Sequence, residues 1–276
     1  MLGAIIGDIC GSIYEFNNCK DQSSIGLFGK GCFPTDDSVM TVAVAQALMD
    51  TRHSKDLSRD AIIDMMHYYG KLFPYAGYGG SFMGWLRRGD RKPYNSWGNG
   101  SAMRVSSVGW LYDTLEETLF FAKLSAEVTH NHPEGIKGAQ ATAAAIYMAR
   151  TGCSKEEIKS YVEKTFGYDL DFRLDDIRVE YDFDVSCQGS LPPALVAFLE
   201  STDYEDSIKR VISIGGDSDT LAAICGGIAE AFYGIPEWME KKAFEVLSYT
   251  EDMTGSYENQ VLASQVRRFQ REVQKK

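Results

Sequence analysis

Positive charge is the scarcer sign in this sequence. Its 276 residues carry 28 Lys and Arg against 39 Asp and Glu, a formal net charge of −11. No basic run or stripe offsets the deficit, so a nucleic-acid groove is excluded as its main business. An anionic ligand stays possible, held by metal ions and backbone N–H groups rather than by a basic field. No apolar stretch is long enough to span a bilayer, so no membrane partner is expected. The opening Met1-Leu2-Gly3-Ala4-Ile5-Ile6-Gly7-Asp8 is apolar, but it lacks a basic flank and Asp8 interrupts it, so a signal peptide is not expected. The six cysteines (10, 19, 32, 153, 187, 225) include no Cys-x-x-Cys and no Cys/His spacing suited to zinc. They read as reduced thiols filling a core, which fits a soluble cytoplasmic protein. Strand signals are few. The best, Ile177–Val185, is acidic and aromatic and reads as an extended connection. No short-period repeat or low-complexity linker divides the chain.

What is present is apolar and helical. Hydrophobic residues make up 44% of the chain, enough for a substantial core. Helical patterns cover 3–16, 38–50, 58–72, 80–88, 101–113, 115–128, 134–151, 154–165, 190–200, 204–213, 219–233, 237–248 and 257–274. Ser154-Lys155-Glu156-Glu157 has the form of a capping box, and Gly152 and Gly234-Ile235-Pro236 read as stops. Gly3, Gly7 and Gly11 recur every fourth residue and form one flat stripe on a helix. Each costs about 1 kcal/mol of helix stability against Ala, so close packing of another backbone must compensate. Asp8 and Glu15, seven apart, fall on nearly one face of that helix. Either could be a satisfied core polar group or part of a site. The chain is expected to be one compact all-α domain over 1–276, and a monomer.

Two acidic clusters nearly two hundred residues apart carry the most information. Thr35-Asp36-Asp37-Ser38 and Gly215-Gly216-Asp217-Ser218-Asp219-Thr220 each precede an apolar run that reads as a buried helix. Asp, Ser and Thr are good N-caps, and carboxylates suit the positive end of a helix. Capping would explain one cluster. It explains the pair less well, because one cap residue suffices and each cluster supplies two aspartates. If the two starts face each other, four carboxylates meet at a point where they cannot stay ionised without cations. Mg²⁺ or Mn²⁺, which prefer hard oxygen ligands, fit that need.

Between the clusters lie two glycine-rich stretches, Gly77–Gly80 and Asn95–Arg104. The second could hold a phosphate on backbone N–H groups. It lacks the Gly-Lys-Ser/Thr of a Walker loop and follows no strand, so neither a P-loop nor a dinucleotide fingerprint is indicated. A plain turn is the alternative. Trp97 within it could stack on a nucleobase. Thr129-His130-Asn131-His132-Pro133 holds two of the four histidines, suited to hydrogen bonding a ligand or the core. His53 and His67 read as surface groups. Ser186-Cys187-Gln188-Gly189-Ser190 lacks a nucleophile elbow, and Cys187 has no evident activating partner.

Five segments together carry a resemblance: Gly3–Asp8 with Glu15, Thr35–Ser38, Gly98-Asn99-Gly100-Ser101-Ala102-Met103-Arg104, Thr129–Pro133 and Gly215–Thr220. In this order and spacing the chain resembles the ADP-ribosylglycohydrolases. The resemblance implies an all-α orthogonal helix bundle of that type with two divalent cations, Mg²⁺ or Mn²⁺. It implies Thr35, Asp36, Asp37, Asp217, Asp219 and Thr220 as metal ligands and Glu15 and Asp36 as catalytic carboxylates. It also implies Ser96, Trp97, Gly98, Asn99 and Gly100 as the diphosphate loop, with Trp97 packing on adenine, and His130 as a ligand contact. Ser218 stands where Thr is commoner in the family. The implied activity is release of ADP-ribose from a modified protein side chain, arginine first, or from a small ADP-ribosyl conjugate. An ADP-ribose-binding module without turnover and a Mg²⁺-dependent nucleotide phosphoesterase are the alternatives. Specificity is expected in loops such as 17–34 and 168–189.

Overall fold

A computed structural model describes residues 1–51, 54–248 and 257–275, with no side-chain description for 257–259. Fifteen α-helices are found among them: α1 Leu2–Gly11, α2 Asp36–Asp50, α3 Lys55–Leu72, α4 Gly80–Arg88, α5 Gly100–Met103, α6 Val108–Leu111, α7 Leu115–Glu127, α8 Pro133–Arg150, α9 Lys155–Phe166, α10 Leu174–Ile177, α11 Cys187–Glu200, α12 Tyr204–Ile212, α13 Ser218–Tyr233, α14 Glu237–Leu247 and α15 Tyr257–Val273. Among the described residues there is no strand, only an isolated antiparallel bridge between Gly98 and Ser186. No described helix is long and apolar enough to cross a membrane.

The glycine stripe organises the molecule. Every residue of α1 is buried, and its stripe lies on α13. A Cβ on Gly3 would stand 2.4 Å from the Gly226 carbonyl oxygen. One on Gly7 would stand 1.9 Å from that of Ala222, and one on Gly11 2.5 Å from that of Ser218. Those partners are also four apart and run in the opposite order, so the two helices are antiparallel with their backbones in contact. No side chain larger than hydrogen fits, which is why the helix tolerates three glycines. Glu230 of α13 accepts a hydrogen bond from the Gly3 N–H at 2.9 Å, placing a carboxylate at the positive end of α1.

α13 also packs on α8, α11 and α12, and buried apolar side chains from α1 through α15 join in one core. The alanine run of α8 keeps its helix thin, so α5, α6, α7 and α13 can all approach it. α11 tolerates Pro192 and Pro193 in its interior. The second proline cannot donate back to Gly189, and Tyr181 Oη donates to that carbonyl instead at 3.1 Å.

Three expectations change. The helix expected over 3–16 stops at Gly11, because its end is wedged against the start of α13, and residues 12–17 turn away. The helix expected over 101–113 is two short pieces, α5 and α6, separated by Arg104–Ser107, all buried. His67 is not a free surface group: it stacks on Trp85 at 4.2 Å and bonds the Asp90 carbonyl at 2.8 Å through Nε2. His53 lies outside the described residues.

Candidate metal centre

The start of α2 is held by a residue of α1. Asp8, fully buried, accepts through Oδ2 from the Thr35 N–H at 2.9 Å and the Ser38 N–H at 3.0 Å. It also takes the Thr35 hydroxyl on Oδ1 at 2.7 Å and the Ser38 hydroxyl on Oδ2. The first-turn donors are therefore satisfied without the aspartates of the turn: Ser38 N–H by Asp8, Asp36 N–H by the Ala76 carbonyl, and Asp37 N–H by Thr35 Oγ1 at 3.3 Å. That decides between capping and ligation for its own aspartates. Asp37 Oδ2 has only long contacts, to the hydroxyls of Thr35 at 3.4 Å and Thr220 at 3.3 Å, and its buried Oδ1 has no partner. A buried carboxylate oxygen without a donor is costly.

The start of α13 is held differently. Gly215 and Gly216 both have positive φ, 74° and 73°, a pair of left-handed residues that turns the chain sharply into the helix. Asn18 Oδ1 accepts from the Gly216 N–H, and Lys20 clamps the same turn through the carbonyls of Ile214 at 2.6 Å and Tyr181 at 2.7 Å. Asp217 occupies the N-cap position but makes no side-chain cap bond. Its Oδ2 instead accepts from Asn99 Nδ2 at 2.7 Å, and Asn99 also donates to Ser190 Oγ at 2.9 Å.

The glycine contact of α1 and α13 brings the two starts together. Ligand oxygens of Asp8, Asp37 and Asp219 lie within 4.8 Å of one another, and so do those of Glu15, Asp217 and Asp219. Asp36 lines the same cavity but belongs to neither trio, and its N–H bonds the Ala76 carbonyl at 2.7 Å. Burial, then the charge of Asp219, raises Asp36 and Asp37 well above the usual carboxylate range and lifts Asp8 and Glu15 to about 7. Burial and Asp219 also hold Asp217 well up, and burial raises Asp219 itself. No lysine or arginine forms an ion pair with any of the six among the described residues. Six acidic groups without a cation, one carrying a buried orphan oxygen, form acidic clusters that fit divalent metal ions.

Glu15, Asp36, Asp37, Asp217 and Asp219 line one wall of a cavity of about 510 Å³, within the usual span for small-molecule sites, and Asp8 lies buried behind them. Ser96, Gly98, Asn99, Gly100 and His130 line it as well. The loop they form is pinned to the segment before α11: the Asn99 N–H donates to the Val185 carbonyl at 2.7 Å, and the Cys187 N–H to that of Trp97 at 3.1 Å. The indole of Trp97 is 48% exposed and is not among the groups lining the cavity. Phe183 and Val185 line it instead, and Phe183 stacks on Phe16 at 6.2 Å. His130 is buried, with Nδ1 2.8 Å from Thr129 Oγ1, and its Nε2 lies 3.1 Å from where a Gly100 Cβ would be. Burial first, then Arg104, holds its pKa well below the ordinary value, so the ring is neutral. His132 is remote from this chemistry: its Nδ1 accepts from the Glu134 N–H at 3.1 Å and caps α8. Burial pushes the Cys187 thiol up to about 12, so it is no nucleophile.

The structure thus gathers Thr35, Asp36, Asp37, Asp217, Asp219, Thr220 and Glu15 at one wall, and Ser96, Gly98, Asn99, Gly100 and His130 around the same space. Asn99 spends its amide on Asp217, which the sequence gave no way to see. Asp8 was open to two readings in the sequence. Its signal was the glycine stripe, but only the partner of that stripe reveals that Asp8 faces α2. Glu15 reaches the site from a turn, not from a helical face shared with Asp8.

Comparison with known proteins agrees with this geometry. The family model for ADP-ribosylglycohydrolase matches residues 1–270. The human ADP-ribosylhydrolase ARH3 is 26% identical over 349 residues, covering 97% of this chain and 92% of that protein. The ADP-ribosylarginine hydrolase Tri1 of Pseudomonas putida (strain GB-1) is 27% identical over 290 residues, covering 88% and 73%. A solved structure titled as an ADP-ribosylglycohydrolase-related protein complex shares the fold, with a TM-score of 0.69 at 21% identity over 99% of this chain and 95% of that one. The chain belongs to the ADP-ribosylglycohydrolase family.

Proposed function

We propose, from that membership and from this site, that the protein is a hydrolase dependent on two divalent cations, Mg²⁺ or Mn²⁺, that releases ADP-ribose from a modified arginine side chain. The observation that carries the reading is the set of five acidic groups, without an ion-pair partner among the described residues and with the orphaned Asp37 Oδ1, facing a cavity that also holds a pinned glycine loop. Thr35, Asp36, Asp37, Asp217, Asp219 and Thr220 would hold the cations. When bound, the cations would fix ribose hydroxyls and favour hydroxide over water near neutral pH.

The residues have distinct duties in cleaving the ribosyl C1 bond, which passes through an oxocarbenium-like state. Asp8 keeps the α2 start in place, and Asn99 turns the Asp217 carboxylate toward the site. The Ser96–Gly100 loop and His130 bind the diphosphate and keep C1 beside the carboxylates. Glu15 or Asp36 takes the proton of the attacking water as its oxygen bonds C1. The C1–N bond breaks, its electron pair leaves with the guanidine nitrogen, and that nitrogen collects the proton the carboxylate took from the water. Phe183 and Val185 take the apolar contact with adenine, with Trp97 at the rim. The arginine linkage follows the name of the Pseudomonas relative, an ADP-ribosylarginine hydrolase; serine-linked and small ADP-ribosyl conjugates are the other substrates to test.

Mass spectrometry of peptides modified on arginine or serine, with Mg²⁺ and with EDTA, tests the proposal. Expected is free ADP-ribose from the arginine peptide, abolished by EDTA and by Asp36→Asn or Asp217→Asn. Full activity in both variants would refute it. AMP or phosphate as product would indicate a phosphoesterase, and tight ADP-ribose binding without turnover a binding module.

A further inference from the structure

Arg104 follows α5, and its side chain is 1% exposed with no carboxylate partner among the described residues. A buried guanidinium without a counter-ion is expensive, and the reaction outlined above makes no use of it. Its Nη2 donates to the Ser125 carbonyl at 3.0 Å and to Thr129 Oγ1 at 2.8 Å. Thr129 is itself fully buried, and its Oγ1 is 2.8 Å from His130 Nδ1. On the far side of the ring, Nε2 faces Gly98 and Gly100 of the cavity loop.

We propose that Arg104 is a positioning residue: acting through Thr129, it fixes the tautomer of His130 so that the ring proton sits on Nε2, facing the loop and the ligand. The reasoning is donor bookkeeping. A guanidinium can only donate, so Thr129 Oγ1 is committed as its acceptor. The threonine hydrogen then needs an acceptor of its own. Thr129 is closed to solvent, and the one acceptor within reach is the bare Nδ1 of His130. With the proton on Nδ1 instead, two hydrogens would compete along one line and a buried O–H would go unsatisfied. Nδ1 therefore accepts and Nε2 carries the hydrogen. The chain Arg104, Thr129, His130 points every donor one way, from the buried cation toward the cavity, and each bond polarises the next. A strongly acidic cavity thereby presents an N–H to the anionic part of its ligand, while Arg104, which stands in the cavity wall but is 1% exposed, keeps Nη2 bonded to Ser125 and Thr129 rather than to an aspartate. The consequence for the ligand rests on the proposed function; the tautomer does not.

Long-range ¹H–¹⁵N correlation spectra of histidine-labelled protein without ligand read the tautomer directly. His130 is assigned among the four histidines by its disappearance in His130→Gln. Expected is a protonated-nitrogen shift for Nε2 and a bare-nitrogen shift for Nδ1. Arg104→Met and Thr129→Val should each give a mixed or reversed pattern and weaken ADP-ribose binding about tenfold by calorimetry. The Mg²⁺-dependent rise in melting temperature should persist, and Thr129→Ser should restore the wild-type spectrum. A proton on Nδ1 in the wild-type protein overturns the proposal even if no variant folds. So does an unchanged tautomer in folded Arg104→Met or Thr129→Val.

Discussion

The two helix starts that meet at the acidic wall carry similar residues but are built on opposite plans. The α2 start is locked by a neighbouring helix: the buried Asp8 carboxylate accepts from the Thr35 and Ser38 N–H groups and from both flanking hydroxyls. The α13 start is shaped from outside, by two left-handed glycines and by side chains reaching in from loops: Asn18, Lys20 and Asn99. Both are buried, but one is fixed by a helix and the other by loops. The difference teaches that a carboxylate's place in a motif does not say whether it holds the fold or is held by it. Asp8 holds the fold, whereas Asp217 is aimed by a loop.

Substitutions should separate the two plans. The largest effect is expected where the plans share a foundation. Gly7→Val drives a side chain into the Ala222 carbonyl, so stability should fall by about 3 kcal/mol or more in urea titration, with Mg²⁺ binding lost at both starts together. Asp8→Ala comes next. Measured with saturating Mg²⁺, so that relief of carboxylate repulsion does not mask it, the loss should be on the order of 3 kcal/mol because several buried donors lose their acceptor. Asn99→Ala should behave in the reverse manner, with stability within about 1 kcal/mol of wild type and Mg²⁺ affinity down about tenfold by calorimetry. Equal effects from the last two would break the comparison.

The last test is a pH dependence, which acts on both starts at once. The acidic groups of the wall have pKa values raised in the folded protein, to about 7 for Asp8 and Glu15. Below the unfolded carboxylate pKa, near 4, both states are protonated and nothing is gained or lost. Above it the unfolded chain gives up protons that the fold retains, so stability in EDTA should fall as pH rises from about 4 through about 7 and then level off. Saturating Mg²⁺ should flatten that slope in a thermal scan. A metal-free protein more stable at pH 8 than at pH 5 would contradict the arrangement.

Much of this was legible in the sequence, for reasons that can be named. The periodicity of α4 places the helix at 80–88, as found, because its caps are local: Gly79 before it and left-handed Gly89 after it. The capping box of α9 forms as its sequence suggests. The glycine stripe announces a close backbone contact. What could not be read depends on partners distant in the chain. Nothing local says that α1 ends at Gly11, since the obstruction is Ser218. Nothing local says that Asn99 would be drawn to Asp217, or that Arg104 would turn inward and split one helical pattern into α5 and α6. Burial of a charge is decided by what surrounds it, and Arg104 is met by Ser125 and Thr129, at and just beyond the end of α7.

The seam between α1 and α13 also sets an order of events. Its two sides are about 200 residues apart, and neither can bury its glycine face without the other. During synthesis the first helix must therefore wait, apolar and exposed, until nearly the whole chain has emerged, which makes the final docking a slow, non-local step. Because the acidic wall exists only once that seam closes, a chain still lacking α13 has no such cluster to offer.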